Sequence, residues 1–274
     1  MFLSQFRSQA VGFMIALMLG ASANAAIKTQ EIDYEQGGVK LSGFLAYDDA
    51  NTGKRPGVLV VHEWWGQTDY VRRRAEQLAR LGYVGFAIDM YGKGVQAKSV
   101  EEAGKMAGQF KNDRKLMRER AAAGLAVLKQ QQKVDTAKIA AIGYCFGGTV
   151  ALELARSGAD LAGVCTFHAA LDTPTPADAK NIKGKVLVCH GGDDPFVPAE
   201  QVQAFEKEMR DAKVDWQLVA YGGAVHSFTN PDVDRVGLQG AAYNRNADRR
   251  SWKAMQTFFD EVFGNQGERR AIRG

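Results

Sequence analysis

The chain has 274 residues, 46% of them hydrophobic and 24% charged, which is enough to bury one substantial core at a size where α/β proteins are commonly single domains. Its 35 basic and 31 acidic residues are spread along the chain without a block of like charge, which excludes a nucleic-acid footprint and leaves no nucleic acid expected as a partner.

At the amino end, Arg7 precedes the apolar run "AVGFMIALMLGA", and "ANA" at 23–25 supplies the small-x-small pattern read by signal peptidase. The run is shorter than the roughly 20 residues a membrane-spanning helix needs. Residues 1–25 are therefore expected to be a secretory signal peptide. The mature chain would start near Ala26 and work in the periplasm or outside the cell, with no membrane partner after cleavage.

The mature chain then alternates. Residues 29–35 and 39–46 read as a leading hairpin turning at Gly37 and Gly38. Six short apolar runs follow: "GVLVVH" (57–62), "YVGFAID" (83–89), "KIAAIG" (138–143), "AGVCTFH" (162–168), "KVLVCH" (185–190) and "WQLVAY" (216–221). Such near-continuous apolar strands belong to a parallel sheet covered on both faces. The stretches between them are amphipathic. In 69–81, Val71, Ala75, Leu78 and Ala79 share one face, Arg72, Arg73 and Glu76 lie opposite, and Gly82 ends the helix. Residues 111–133, 148–157, 199–213 and 240–263 read similarly. The pattern is a doubly wound α/β sheet in one catalytic domain, 26–264, followed by a loose polar tail at 265–274.

In such a sheet, ligands bind beyond the carboxyl ends of the strands. Residues just past the apolar runs include His62-Glu63-Trp64, Asp89-Met90-Tyr91, Tyr144-Cys145-Phe146, His168, His190 through Asp194, and the loop holding His226. Gly143-x-Cys145-x-Gly147, after a strand and before a helix, has the form of the nucleophile elbow G-x-S-x-G with a thiol in place of the hydroxyl. Small flanking residues spare a sharp turn from clashes with neighbouring strands. The helix terminus favours a thiolate, and the Phe146 N–H would point at a developing oxyanion. Chain order then requires an acid and a histidine downstream. The only histidine beyond the aspartates of "HGGDDPFVP" is His226, and of those two aspartates the H-G-x-x-D-x-x-V-P arrangement favours Asp194 as the acid, with Asp193 a turn residue. His168 and His190 read as structural, and His62 as bordering the oxyanion loop.

With "HEWWG" (62–66), "DMYGKG" (89–94), "GYCFGG" (143–148), "GGDDPFVP" (191–198) and "AVHSF" (224–228) in order, the chain resembles the dienelactone hydrolase family from about residue 29 to 263. The resemblance implies an α/β-hydrolase fold, with a mostly parallel sheet of about eight strands, a leading antiparallel hairpin and helices on both faces. It implies hydrolysis of an ester or lactone with Cys145 as nucleophile, His226 as base and Asp194 as orienting acid. It further implies that Glu63 hydrogen-bonds the resting thiol and that backbone groups of Trp64 and Phe146 hold the oxyanion. No cofactor or metal is implied, and a monomer is expected. Members acting on the anionic dienelactone hold its carboxylate with two arginines; here those positions read as Lys93 and Asn230, a lysine without the planar fork and an uncharged amide. Small neutral esters or lactones are therefore expected to be turned over at least as well as anionic ones. Trp64, Trp65, Tyr91, Phe146 and Phe228 read as lining an aromatic pocket.

Two other readings are weaker. A non-catalytic binding protein would not need a complete nucleophile, acid and base. A thiol redox protein would use Cys145, Cys165 and Cys189, but no C-x-x-C is present. Cys165 and Cys189 lie in consecutive strands, where disulfide geometry is rarely met, and are expected to be buried free thiols.

Overall fold

The computed structural model describes residues 26–264. The signal peptide expected at 1–25 and the tail expected at 265–274 lie outside the described residues. One eight-stranded sheet runs in the order β1-β2-β4-β3-β5-β6-β7-β8. Its strands are β1 (Ile27–Gln36), β2 (Val39–Asp48), β3 (Arg55–Val61), β4 (Val84–Ile88), β5 (Val134–Tyr144), β6 (Gly163–Phe167), β7 (Lys185–Gly191) and β8 (Trp216–Tyr221). β1 and β2 form the leading hairpin, β2 joins β4 antiparallel, and every pairing from β4 onward is parallel.

Six α-helices cover the two faces: α1 (Asp69–Arg80), α2 (Val100–Asn112), α3 (Arg114–Lys129), α4 (Phe146–Arg156), α5 (Ala199–Asp211) and α6 (Arg245–Val262). Val71, Ala75 and Leu78 of α1 and Met255, Phe258 and Phe259 of α6 pack in one apolar cluster with Val58, Val60 and Ile142 from the sheet. Phe110, Met117, Leu125, Leu154 and Phe205 from α2 to α5 form the second cluster against Leu59, Phe86 and Val164. This is the alternation expected of strands buried on both faces.

Several helix boundaries differ from the sequence reading. The stretch expected as one helix from 111 is divided between α2 and α3 at Asp113, whose φ of −127° and ψ of 85° leave helical space and whose carboxylate caps α3 by accepting from Leu116 N at 2.9 Å. The first eleven residues of α2 escaped notice because Gly104 and Gly108 dilute the periodicity. A capping signal was nevertheless present: Ser99 accepts from Glu102 N at 3.1 Å, and Glu102 accepts from Lys98 N at 2.8 Å. α6 begins at Arg245 rather than 240, because Asn244 accepts from Asn246 N and Ala247 N, both at 3.1 Å. α4 begins two residues earlier than expected, directly after Cys145.

Cys165 and Cys189 are buried free thiols, as expected. Between α3, α4 and α5 lies a buried charge network. Arg156, fully buried, donates to both carboxylate oxygens of Glu208 at 2.8 Å, to Glu153 at 3.1 Å and to Leu171 O at 3.0 Å. Arg118 adds a second cation on Glu153 at 2.7 Å. Removing the central cation leaves buried carboxylates without compensation, a change that typically costs about 3–5 kcal/mol. Arg156→Met is expected to lower the urea-unfolding free energy by about that amount, and Glu208→Gln by less; an Arg156→Met variant of wild-type stability would mean that the network contributes nothing net.

Candidate active site

The elbow is built by close backbone approach. Cys145 sits at φ 52° and ψ −118°, with its N–H donating to Phe167 O at 3.0 Å. A Cβ on Gly143 would come within 2.0 Å of Gly147 O, and one on Gly147 within 2.3 Å of Val61 O, so neither position admits a side chain without moving backbone. The turn leaves Cys145 immediately ahead of α4.

Next to Cys145 the structure brings together His226 and Asp194. His226 Nε2 lies 3.0 Å from Cys145 Sγ, and its Nδ1 lies 2.8 Å from Asp194 Oδ2. Asp194 is buried and fixed by Phe196 N, which donates to its other oxygen at 2.9 Å, while Asp193 is exposed. The segment carrying the histidine is tied down at both sides, by His226 N to Gly240 O and by Ala242 N to His226 O, each at 3.1 Å. Burial alone would favour the neutral ring of His226. The Cys145 sulfur and the Asp194 carboxylate outweigh it and raise the imidazolium from the ordinary 6.5 to about 10.

The loop after β3 faces the elbow. Among the described residues neither the Trp64 N–H nor the Phe146 N–H is taken by an acceptor, so both are available to an oxyanion. His62 is fully buried, and burial depresses its pKa. The neutral ring donates from Nδ1 to Glu63 O at 2.5 Å and accepts Met90 N at Nε2 at 3.2 Å. Tyr91 Oη donates to Trp64 O at 3.0 Å, and Gln67 donates to Ser42 O and Ala87 O at 3.0 and 2.8 Å.

Glu63 departs from the expected contact with the thiol. Its carboxyl receives Asn230 Nδ2 at 2.6 Å and Ser227 Oγ at 3.2 Å, while the sulfur is engaged by His226. Asn230 is locked in that orientation because its own Oδ1 accepts Asp232 N at 2.9 Å. Burial pushes Glu63 above the usual carboxylate range, only partly opposed by the Asn230 hydrogen bond.

A pocket of about 230 Å³ opens over Cys145 and His226. Of the aromatic residues expected to line it, Trp64, Trp65 and Phe146 do. Tyr91 instead braces the loop. Phe228 is fully buried, its ring packed on His168 and Tyr221, because the chain after His226 turns inward. Neither position of the expected clamp reaches the pocket as a cation: Lys93 is an exposed partner of Asp33, and Asn230 is spent on Glu63. The sequence reading missed Lys111 at the end of α2, and Phe196, Val236 and Leu238, which complete the wall. Phe196 had a signal, being two residues from Asp194 in "DDPF"; Lys111 had none, since α2 carries it there through packing.

This fold and elbow define an α/β hydrolase. The profile of the dienelactone hydrolase family matches residues 41–263, and the chain belongs to that family. It is 46% identical to the solved structure of "m3DLH" (TM-score 0.84, 86% of this chain and 99% of that one). It is 41% identical to a dienelactone hydrolase-like promiscuous phosphotriesterase, P91, from metagenomic libraries (TM-score 0.83, 87% and 99%). "Protein usf" of Aquifex pyrophilus is 29% identical over 236 residues, 85% of this chain and 98% of its own. A protein of Aquifex aeolicus (strain VF5), provisionally named a carboxymethylenebutenolidase, is 28% identical over 234 residues, 84% and 97%. The protein is thus a hydrolase of the dienelactone hydrolase kind.

Two outcomes follow from this geometry. Because the folded value is raised, the stability contributed by the His226 proton is complete below about 6.5 and is lost as pH rises through about 10. In NMR titrations His226 is expected to stay protonated through neutral pH and to titrate at least about one unit lower in Cys145→Ala; an unchanged midpoint would show that the sulfur does not hold the proton. Lys111 is the one lysine or arginine on the pocket wall and makes no ion pair among the described residues. A single exposed pair is worth at most about 1 kcal/mol, so a carboxylate-bearing ester should exceed its neutral match in kcat/KM by no more than about fivefold, and Lys111→Met should abolish that margin. A preference surviving in the variant would place the anchoring elsewhere.

Proposed function

We propose that the protein hydrolyses a carboxylic ester or lactone through a thioester on Cys145. The observation carrying this reading is the unbroken relay from Cys145 Sγ through His226 to Asp194, at 3.0 and 2.8 Å, facing two unclaimed backbone N–H groups. The sulfur adds to the carbonyl carbon, and the developing oxyanion accepts from Trp64 N–H and Phe146 N–H. Imidazolium His226 gives its proton to the departing alkoxide. The neutral ring then takes a proton from water as that water attacks the thioester, the acid departs, and the proton returns the pair to its starting state. Asp194 holds the ring in the tautomer and orientation this needs. Glu63 serves by position, bracing the loop after β3 against the segment that carries His226.

The same apparatus suits a second substrate class. The pocket has apolar walls and no carboxylate, and the relative at 41% identity is described as a promiscuous phosphotriesterase, so a neutral phosphotriester is an additional candidate.

Cys145→Ala is expected to abolish turnover of simple esters while leaving the fold intact, and His226→Ala to lower kcat by about three orders of magnitude or more. Mass spectrometry of the wild-type enzyme quenched during turnover of a slow ester should find the acyl group on Cys145. Full activity in Cys145→Ala would refute the nucleophile assignment; the phosphotriester class is dropped if a dialkyl aryl phosphate is not hydrolysed by an ester-competent preparation.

A further inference from the structure

Beside the pocket over Cys145 lies a larger cleft of about 380 Å³, and Trp65, Val233 and Val236 form the wall common to both. The two compartments differ in chemistry. The first is walled mainly by indoles, Phe146, Phe196 and aliphatic side chains, with Lys111 its one lysine or arginine among the described residues, whereas the second presents Thr68, Asp69, Arg73, Gln96 and Asp232 beside the Trp65 indole. An ester has two sides, and a substrate that fills both compartments places one side on each.

The polar groups of the cleft are balanced in charge, and among the described residues several of them face water without a protein partner. Asp232 is paired with Arg73 at 2.5 Å and with Arg235 at 3.7 Å. Asp69 makes no ion pair or hydrogen bond through its side chain among the described residues, and neither does the Thr68 hydroxyl, although Thr68 occupies the cap position of α1. Gln96 donates its amide to Gln67 O at 2.6 Å, which leaves its carboxamide oxygen open. Carboxylate, carboxamide oxygen and hydroxyl are acceptors that a ligand's donors can take over from water, and the remaining guanidinium N–H groups of Arg73 are donors. A strongly charged ligand would meet both signs here. An alkyl chain would strip water from these groups and return nothing. Hydroxyl groups, each donor and acceptor at once, answer all of them, and the Trp65 indole offers a flat apolar surface to the C–H face of a sugar ring.

On this ground, and resting on the Cys145 reading above, we propose that the alcohol portion of the substrate is a neutral, polyhydroxylated group of sugar size seated on Thr68, Asp69 and Gln96, with the acyl portion in the apolar pocket. The enzyme is then a hydrolase of acylated sugars or polyols. Trp65 stands between the two compartments and separates the acyl from the alcohol side.

The test compares kcat/KM for 6-O-butyryl glucose and ethyl butyrate in the wild type, Thr68→Val, Asp69→Ala and Asp69→Asn. A net gain of about 1.4 kcal/mol from hydrogen bonds to these groups corresponds to about a tenfold effect, so the wild type should favour the sugar ester by at least about that factor. Asp69→Ala should lose it while changing ethyl butyrate less than about twofold, Thr68→Val should lose part of it, and Asp69→Asn, which keeps an acceptor, should retain part of it. Methyl glucoside should also slow iodoacetamide labelling of Cys145 in the wild type and not in Asp69→Ala. Equal kcat/KM for the two esters in the wild type, or equal losses on both in Asp69→Ala, overturns the proposal while leaving the Cys145 reading standing. Failure to turn over either ester, with no acyl group on Cys145, overturns both.

Discussion

The site depends on one strained residue. Cys145 is held at a positive φ of 52°, a conformation that costs a non-glycine residue free energy and persists only where the surroundings enforce it. The enforcement comes from three backbones meeting at one point: β5 delivers Gly143, the first turn of α4 delivers Gly147, and β3 ends at Val61 against them. That crowding makes the strand turn into the helix within one residue, lifts the sulfur out of the sheet toward His226, and exposes the first amide of α4 instead of burying it in a gradual loop. Orientation of the thiol and availability of the Phe146 N–H are therefore consequences of the same turn.

The segment from His226 to Asn230 must then meet that sulfur, and it is held from two directions. Glu63 grips Ser227 and Asn230 from the loop after β3. From the other side Arg74 of α1 donates to Thr229 O at 2.8 Å, pairs with Asp248 of α6, and packs over Tyr70, Tyr144 and Trp252. The Thr229 hydroxyl lies 2.6 Å from Tyr70 Oη and 2.7 Å from His168 Nε2. Burial drives His168 well below its ordinary pKa, so the ring standing edge-on to His226 at 5.3 Å carries no charge. Of the two rings, only His226 then carries positive charge beside the sulfur.

Charge is arranged differently around the two compartments. Among the described residues Lys111 has no carboxylate partner and stands on a mostly apolar pocket, while the adjoining cleft pairs its guanidinium groups with Asp232. Much of the wall between these compartments comes from the segment after His226, including the short 3₁₀ turn Val233–Arg235. The outer walls thus come from a short loop and a helix end, whereas Cys145, Asp194 and Glu63 are carried just past strand ends and at the elbow, where the backbone is most constrained.

The sequence by itself determined those features whose causes are local. Apolar runs of strand length announced a parallel sheet, the G-x-C-x-G spacing announced the elbow because only small residues survive that backbone contact, and chain order left His226 as the single histidine available to the thiol. The two aspartates, adjacent in sequence and both past β7, were separated by a loop pattern, and the structure buries one and exposes the other. What only the tertiary structure decided concerns long side chains and meetings between distant loops. Whether Glu63 turns to the sulfur or to Asn230, whether Phe228 faces the pocket or the core, and whether Lys93 or Lys111 reaches the pocket depends on which partner each side chain finds after distant strands, loops and helices have packed. Such choices are settled by small differences between competing contacts, and no spacing along the chain records them.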